Sequence, residues 1–172
     1  MQLVSFLRND VAEVIQGATY ALSQLSRWLN GAQAAVDAKV LDCIEELLSS
    51  SNDEIQTAAC WLVGHLASHE SIAMAVLTKT PCIRLMTLLR HGNTDITCGA
   101  TYALCQISFR LEGALAVVDA KVMDHVAGLL ESPHALIRGG ASRLVRNLAS
   151  YESTAAAIAE FKLCAVLVSL LQ

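Results

Sequence analysis

Between residues 40 and 49 the apolar side chains Val40, Leu41, Ile44, Leu47 and Leu48 recur at the spacing of one helical face, with Asp42, Glu45 and Glu46 opposite. That pattern predicts an amphipathic helix over 40–49. Ser50-Ser51-Asn52-Asp53 follows, a turn whose Asn or Asp can also cap the next helix. From 54 to 68, Ile55, Ala59, Leu62, Val63 and Leu66 share one face and predict a longer helix. Ahead of both, 31–37 is an Ala-rich stretch after Gly31, long enough for about two helical turns. The segment therefore reads as a short, a medium and a long helix.

This triplet recurs along the chain. Laying residues 1–90 over 83–172 without a gap matches roughly 40 of 90 positions, including Gly17-Ala18-Thr19-Tyr20-Ala21-Leu22 against Gly99-Ala100-Thr101-Tyr102-Ala103-Leu104. Val36-Asp37-Ala38-Lys39-Val40 returns as Val118-Asp119-Ala120-Lys121-Val122. Halving the shift puts Tyr20 on Trp61, Leu22 on Val63, Leu25 on Leu66 and Leu47-Leu48 on Leu88-Leu89, so the basic period is about 41 residues. Pro81 falls at the first turn of a second helix, where its missing N–H costs nothing. Units of this length cannot bury their apolar faces alone, and stacking them builds an elongated all-α solenoid. Three helices in 41 residues also separate the pattern from two-helix repeats, which run to about 34 residues or fewer.

The residues resemble the armadillo repeat. Ala59-Cys60-Trp61-Leu62-Val63-Gly64-His65-Leu66-Ala67 is similar to that family's third-helix signature, and Val36-Asp37-Ala38-Lys39-Val40-Leu41 followed by Leu47-Leu48 is similar to its entry into the second helix. The resemblance covers the whole chain. It implies a right-handed superhelical solenoid with a partial repeat over 1–8 and repeats near 9–49, 50–90, 91–131 and 132–172. The internally near-identical copies also resemble fungal-type and vacuolar armadillo arrays. One recurring departure concerns the Gly of the family between the first two helices, replaced here by Lys39, Thr80, Lys121 and Lys162. The kink there is expected to form without a residue that favours left-handed φ.

Composition limits the functions this array can serve. Hydrophobic residues make up 54% of the chain and charged residues 16%, yet no apolar run is long enough to span a membrane. Residues 1–8 are too short for a signal peptide and have neither a basic start nor a small-residue cleavage site, and Gln2 excludes N-myristoylation. Net charge is −4 with both signs interspersed, which argues against a nucleic-acid partner. The six cysteines, Cys43, Cys60, Cys82, Cys98, Cys105 and Cys164, include no Cys-x-x-Cys pair and fall at positions that are apolar in other repeats. They read as buried free thiols in a reducing compartment, so an intracellular protein, cytoplasmic and/or nuclear, is expected.

What the resemblance implies about function is a concave groove lined by the third helices and holding an extended peptide. Nuclear-import adaptors of this family use a Trp and, four residues on, an Asn. Carried over, the positions are Tyr20 and Gln24, Trp61 and His65, Tyr102 and Gln106, and Arg143 and Asn147. Flat aromatic faces suit apolar stems, and amides suit a peptide backbone. The alternative is that the aromatics only pack between neighbouring helices. Ser23, Gly64, Cys105 and Arg146, beside the ladder, supply no carboxylate, which disfavours a basic nuclear signal. Arg143 and Arg146, with Arg138 one turn earlier, are candidate contacts for an acidic or phosphorylated segment, or else simply solvated.

Catalytic chemistry finds no residues here. His65 and His69 lie four apart, but no Glu completes a His-Glu-x-x-His arrangement and no third ligand recurs. Phosphate loops and nucleophile elbows are missing too, so neither an enzyme, a metal nor a cofactor is expected. The reading is a protein-interaction scaffold. Its rival is a structural or self-associating segment, because Leu3-Val4-Ser5-Phe6-Leu7-Arg8 resembles Leu167-Val168-Ser169-Leu170-Leu171-Gln172 and neither end shows a divergent cap. Such ends are expected to stack head to tail and to give concentration-dependent association.

Overall fold

The computed structural model describes residues 2–80 and 82–160. Among these the secondary structure is helical throughout, in the order α1 (Gln2–Ser5), α2 (Ala12–Leu25), α3 (Leu29–Asp37), α4 (Ile44–Leu48), α5 (Asp53–Ala67), α6 (Glu70–Lys79), α7 (Cys82–Leu88), α8 (Thr94–Ile107), α9 (Leu111–Asp119), α10 (Met123–Leu130), α11 (Ala135–Ala149) and α12 (Glu152–Glu160). Short 3-10 turns, Phe6–Arg8 and Val40–Cys43, follow α1 and precede α4. The long helices α2, α5, α8 and α11 are the expected third helices, and each packs directly on the next. The anticipated role of Pro81, Lys162 and Cys164 lies outside the described residues.

The helices form where the patterning and the caps agree. Asn52 accepts hydrogen bonds on Oδ1 from the amides of Glu54 at 2.9 Å and Ile55 at 3.1 Å, which satisfies two free donors at the start of α5. Asn93 does the same for Asp95 at α8, at 2.9 Å. Leu22, Leu62, Leu66, Leu104, Leu144 and Leu148 on the long helices are fully buried, as are Ile44, Leu48 and Leu130 on the second helices. One apolar core therefore runs through the described residues, from Val4 to Ile158.

The kink between first and second helices is made by residues that do not favour left-handed φ but adopt it. Lys39 and Lys121 both adopt φ 67°, the left-handed region normally left to glycine. The backbone turn of the family is thus kept and the lysines bear its strain. Thr80 departs from it, extended at φ −105° and ψ 112°, as the residue ahead of a proline prefers. Left-handed backbone costs a non-glycine residue about 1–2 kcal/mol, partly offset by glycine's larger unfolded-state entropy. Lys39→Gly or Lys121→Gly is therefore expected to raise stability by about 0.5–1 kcal/mol in denaturant unfolding. Thr80→Gly is expected to lower it.

Candidate functional site

Where α2, α5 and α8 lie side by side they leave a groove of about 950 Å³. Its floor is aromatic. The rings of Trp61 and Tyr102 have centroids 4.9 Å apart at a tilt of 36°, and His65 meets Tyr102 edge-on at 5.5 Å. The Tyr102 ring can sit there because Gly64 lies beneath it: a Cβ on Gly64 would stand 2.4 Å from the ring. Tyr20 joins the same groove but is 60% exposed. Trp61 and Tyr102 therefore pack between neighbouring helices and line the groove as well, whereas Tyr20 is mainly surface.

The second positions of the ladder separate into two kinds. Gln24 and Gln106 are exposed and half-buried, and Gln24 accepts from Arg27 at 3.4 Å. His65 instead donates from Nδ1 to the Ser23 carbonyl at 2.9 Å, and His69 from Nε2 to the Ser26 carbonyl at 2.8 Å. One double period later, Asn147 donates from Nδ2 to the Cys105 carbonyl at 2.9 Å and Tyr151 from its hydroxyl to the Phe109 carbonyl at 2.6 Å. Both pairs thus stitch a repeat to the C-terminal end of the preceding long helix, where carbonyls lack intrahelical partners. The alternation of Gln with His or Asn follows the two-unit repeat of the sequence.

Asn147 is placed differently from the glutamines of the ladder. It is 5% exposed, its Nδ2 serves the Cys105 carbonyl, and its Oδ1 accepts from Arg146 at 3.1 Å. Its amide is therefore taken up within the protein rather than offered to a peptide. Gln106, Arg143 and Asn147 are not among the residues lining the groove, while Tyr20, Gln24, Trp61, His65 and Tyr102 are. Arg143 and Arg146 are exposed on α11. Arg138 is tied down, donating to the carbonyls of Ser132 at 2.8 Å and Pro133 at 2.9 Å.

The groove also holds carboxylates that the sequence reading missed. Asp53, Glu54 and Asp95 line it from the first turns of α5 and α8, where helix dipoles favour negative charge. Asp53 is partly engaged, accepting on Oδ2 from Asn93 at 2.9 Å. Arg27 stands in the lining too, just beyond the C-terminal end of α2. The signal was present in the 41-residue register, which aligns Glu13, Glu54 and Asp95. It lies ten residues ahead of Ser23, Gly64 and Cys105, the positions beside the ladder. The series ends at Leu136, which is 76% exposed.

Burial governs the titrating groups near the floor. It pulls His65 below its ordinary value, against the opposing effect of the Ser23 carbonyl and with added repulsion from Arg27 and His69. His125 on α10 is lowered by burial and by Arg90, with Asp124 opposing. A histidine with a lowered folded value binds fewer protons folded than unfolded, so its stabilisation is complete above the unfolded value and lost as pH falls. Unfolding midpoints are therefore expected to drop as pH falls below the ordinary histidine value of 6.5. His65→Gln is expected to flatten part of that decline, measured by thermal melts across the range. The Cys60 thiol is pushed up to about 12 by burial alone, which leaves it inert at neutral pH.

A continuous stack of three-helix units with a groove across its long helices defines an α-solenoid. Residues 30–68 match the armadillo/beta-catenin-like repeat. The same architecture is found in an engineered protein, with a TM-score of 0.94 and 26% identity over 99% of this chain and 71% of that one. A second engineered protein matches with a TM-score of 0.93 and 28% identity, over 99% of this chain and 42% of that one. A designed armadillo repeat protein in complex with the peptide (KR)4 shares the fold at a TM-score of 0.92 and 21% identity, over 98% of this chain and 72% of that one. The chain thus carries an armadillo/beta-catenin-like repeat over residues 30–68 and shares the fold of armadillo-repeat proteins. Armadillo scaffolds are generally non-enzymatic. A curated relative, Phospholipase A I of Arabidopsis thaliana, is 26% identical over 88% of this chain, which spans only 12% of that protein's length.

Proposed function

We propose that the chain is a non-enzymatic adaptor that holds an extended segment of a partner protein along the groove of its long helices. The observation that carries this reading is the joined floor of Trp61 and Tyr102 with Glu54 and Asp95 at its edge. Aromatic faces take the aliphatic stems of lysine and arginine, and carboxylates take the charged ends. A segment with cationic side chains over α5 and α8 therefore fits this groove, and a designed protein of the same fold is described with such a peptide. Further along, Arg143 and Arg146 suit an acidic or phosphorylated residue of the same ligand. The whole array, 1–172, acts as one binding unit, and its free thiols fit a reducing, intracellular setting.

Tyr20 is the cleanest probe, since truncating an exposed ring removes ligand surface without opening a core cavity. Selection of a displayed random-peptide library on the wild-type chain is expected to enrich lysine- and arginine-bearing sequences, and Tyr20→Ala is expected to lose most of that enrichment with an unchanged melting point. Enrichment of the same peptides on both proteins, or none on either, would exclude the groove as the site.

A further inference from the structure

The long helices run in one direction. Gly99 of α8 faces Thr57 and Cys60 of α5, and Gly64 further along α5 faces Tyr102 and Ala103 of α8, so the two helices advance together. Their starts therefore form one bank of the groove and their ends the other. Asp53, Glu54 and Asp95 stand on the first bank.

The second bank carries the opposite charge. The 41-residue register aligns Arg27, Ser68 and Phe109, and the first two line the groove. Arg110 holds its guanidinium over the Phe109 ring, 6.0 Å from its centre, which brings a second cation to this side. Arg143 takes the place of Tyr102 on α11 and is exposed. Burial raises the Tyr102 phenol above its ordinary value, and Arg143 and Arg27 both pull it back, so the ring stands within reach of both cations. The segments 20–28, 61–69, 102–110 and 143–151 contain no Asp or Glu. Helix dipoles favour this division, with carboxylates at helix starts and cations at helix ends.

The banks are too far apart to neutralise each other. Along α5, Glu54 and Ser68 both line the groove and are separated by about 21 Å at 1.5 Å of rise per residue. Among the described residues no ion pair joins the two sides. That width leaves room for an extended backbone with a long side chain on either side. In an extended chain successive side chains point in opposite directions. A segment crossing the helices with its backbone over Trp61 and Tyr102 therefore sends every second side chain to the carboxylates and those between them to the arginines. We propose that the partner segment alternates in charge, with lysine or arginine at every second position and glutamate or aspartate at the positions between. This names the charge pattern of the segment proposed above and rests on that reading.

Calorimetric titration at low ionic strength with three octapeptides separates the two claims. One alternates lysine and glutamate, one holds four lysines followed by four glutamates, and one alternates lysine and arginine. The wild-type chain is expected to bind the first about tenfold more tightly than either of the others, as a few exposed ion pairs together supply. An Arg27→Gln, Arg143→Gln double variant, with both changes on the surface, is expected to keep its melting point, to weaken towards the lysine and glutamate peptide and to strengthen towards the lysine and arginine one. Equal binding of the block and alternating peptides, tighter binding of lysine and arginine by the wild type, or a double variant with the wild type's order would overturn the alternation while leaving a cationic segment in place. Binding of none of the three would overturn both.

Discussion

Leu62→Asp or Leu144→Asp is expected to leave the chain unfolded. Both side chains are 0% exposed, on α5 and α11. The substitution acts twice. Losing the leucine leaves a cavity worth about 2–5 kcal/mol, and the carboxylate that replaces it costs several more in a site with no cation to pair it. Together these reach the whole stability of a typical domain, about 5–15 kcal/mol. Because each unit is stable only against its neighbours, a break at α5 also removes the support of the units on either side. Circular dichroism is the readout, and a native helical spectrum in either variant would contradict the packing described.

Gly31→Ala and Gly113→Ala are expected to carry the next largest cost. These glycines sit on the first helices α3 and α9, against the C-terminal carbonyls of the preceding long helices. A Cβ would stand 2.2 Å from the Leu25 carbonyl oxygen at Gly31 and 1.9 Å from the Ile107 carbonyl oxygen at Gly113. Backbone atoms cannot step aside as a flexible side chain does, so the whole first helix must shift, at roughly 3 kcal/mol for a forced overpacking. Alanine's better helix propensity returns only about 1 kcal/mol. Gly128 on α10 is the control, because nothing lies within 4 Å of it. Gly128→Ala is expected to stabilise by about 1 kcal/mol, opposite in sign to the other two. Three substitutions of equal sign in denaturant unfolding would sink this assignment of close contacts.

Much of the fold was legible in the chain because a repeat states its own register. The stripe Val40, Leu41, Ile44, Leu47 and Leu48 and the capping Asn52 stand where the patterning put them. Lys39 and Lys121 left the turn between first and second helices open: residue preference does not favour left-handed backbone there, yet both lysines adopt it between packed helices, at a cost each can bear. The stitches from His65, His69, Asn147 and Tyr151 were hidden because each spans about one repeat, and only stacking brings donor and carbonyl together. The carboxylates were missed through geometry. Glu54 and Asp95 reach the groove from helix starts, and not from the positions flanking Trp61 and Tyr102. The aromatic ladder was visible, but its division into packed rings and one exposed ring was not.

The most direct test of the groove is a titration with an octapeptide of alternating lysine and arginine, followed by calorimetry and by the Trp61 indole resonance. The wild-type chain is expected to bind it with a shifted Trp61 signal, and a Glu54→Gln, Asp95→Asn double variant is expected to bind about tenfold more weakly, the equivalent of about 1.4 kcal/mol. No binding by the wild type, equal binding by the variant, or binding that leaves Trp61 unmoved would contradict a cationic segment lying along the long helices.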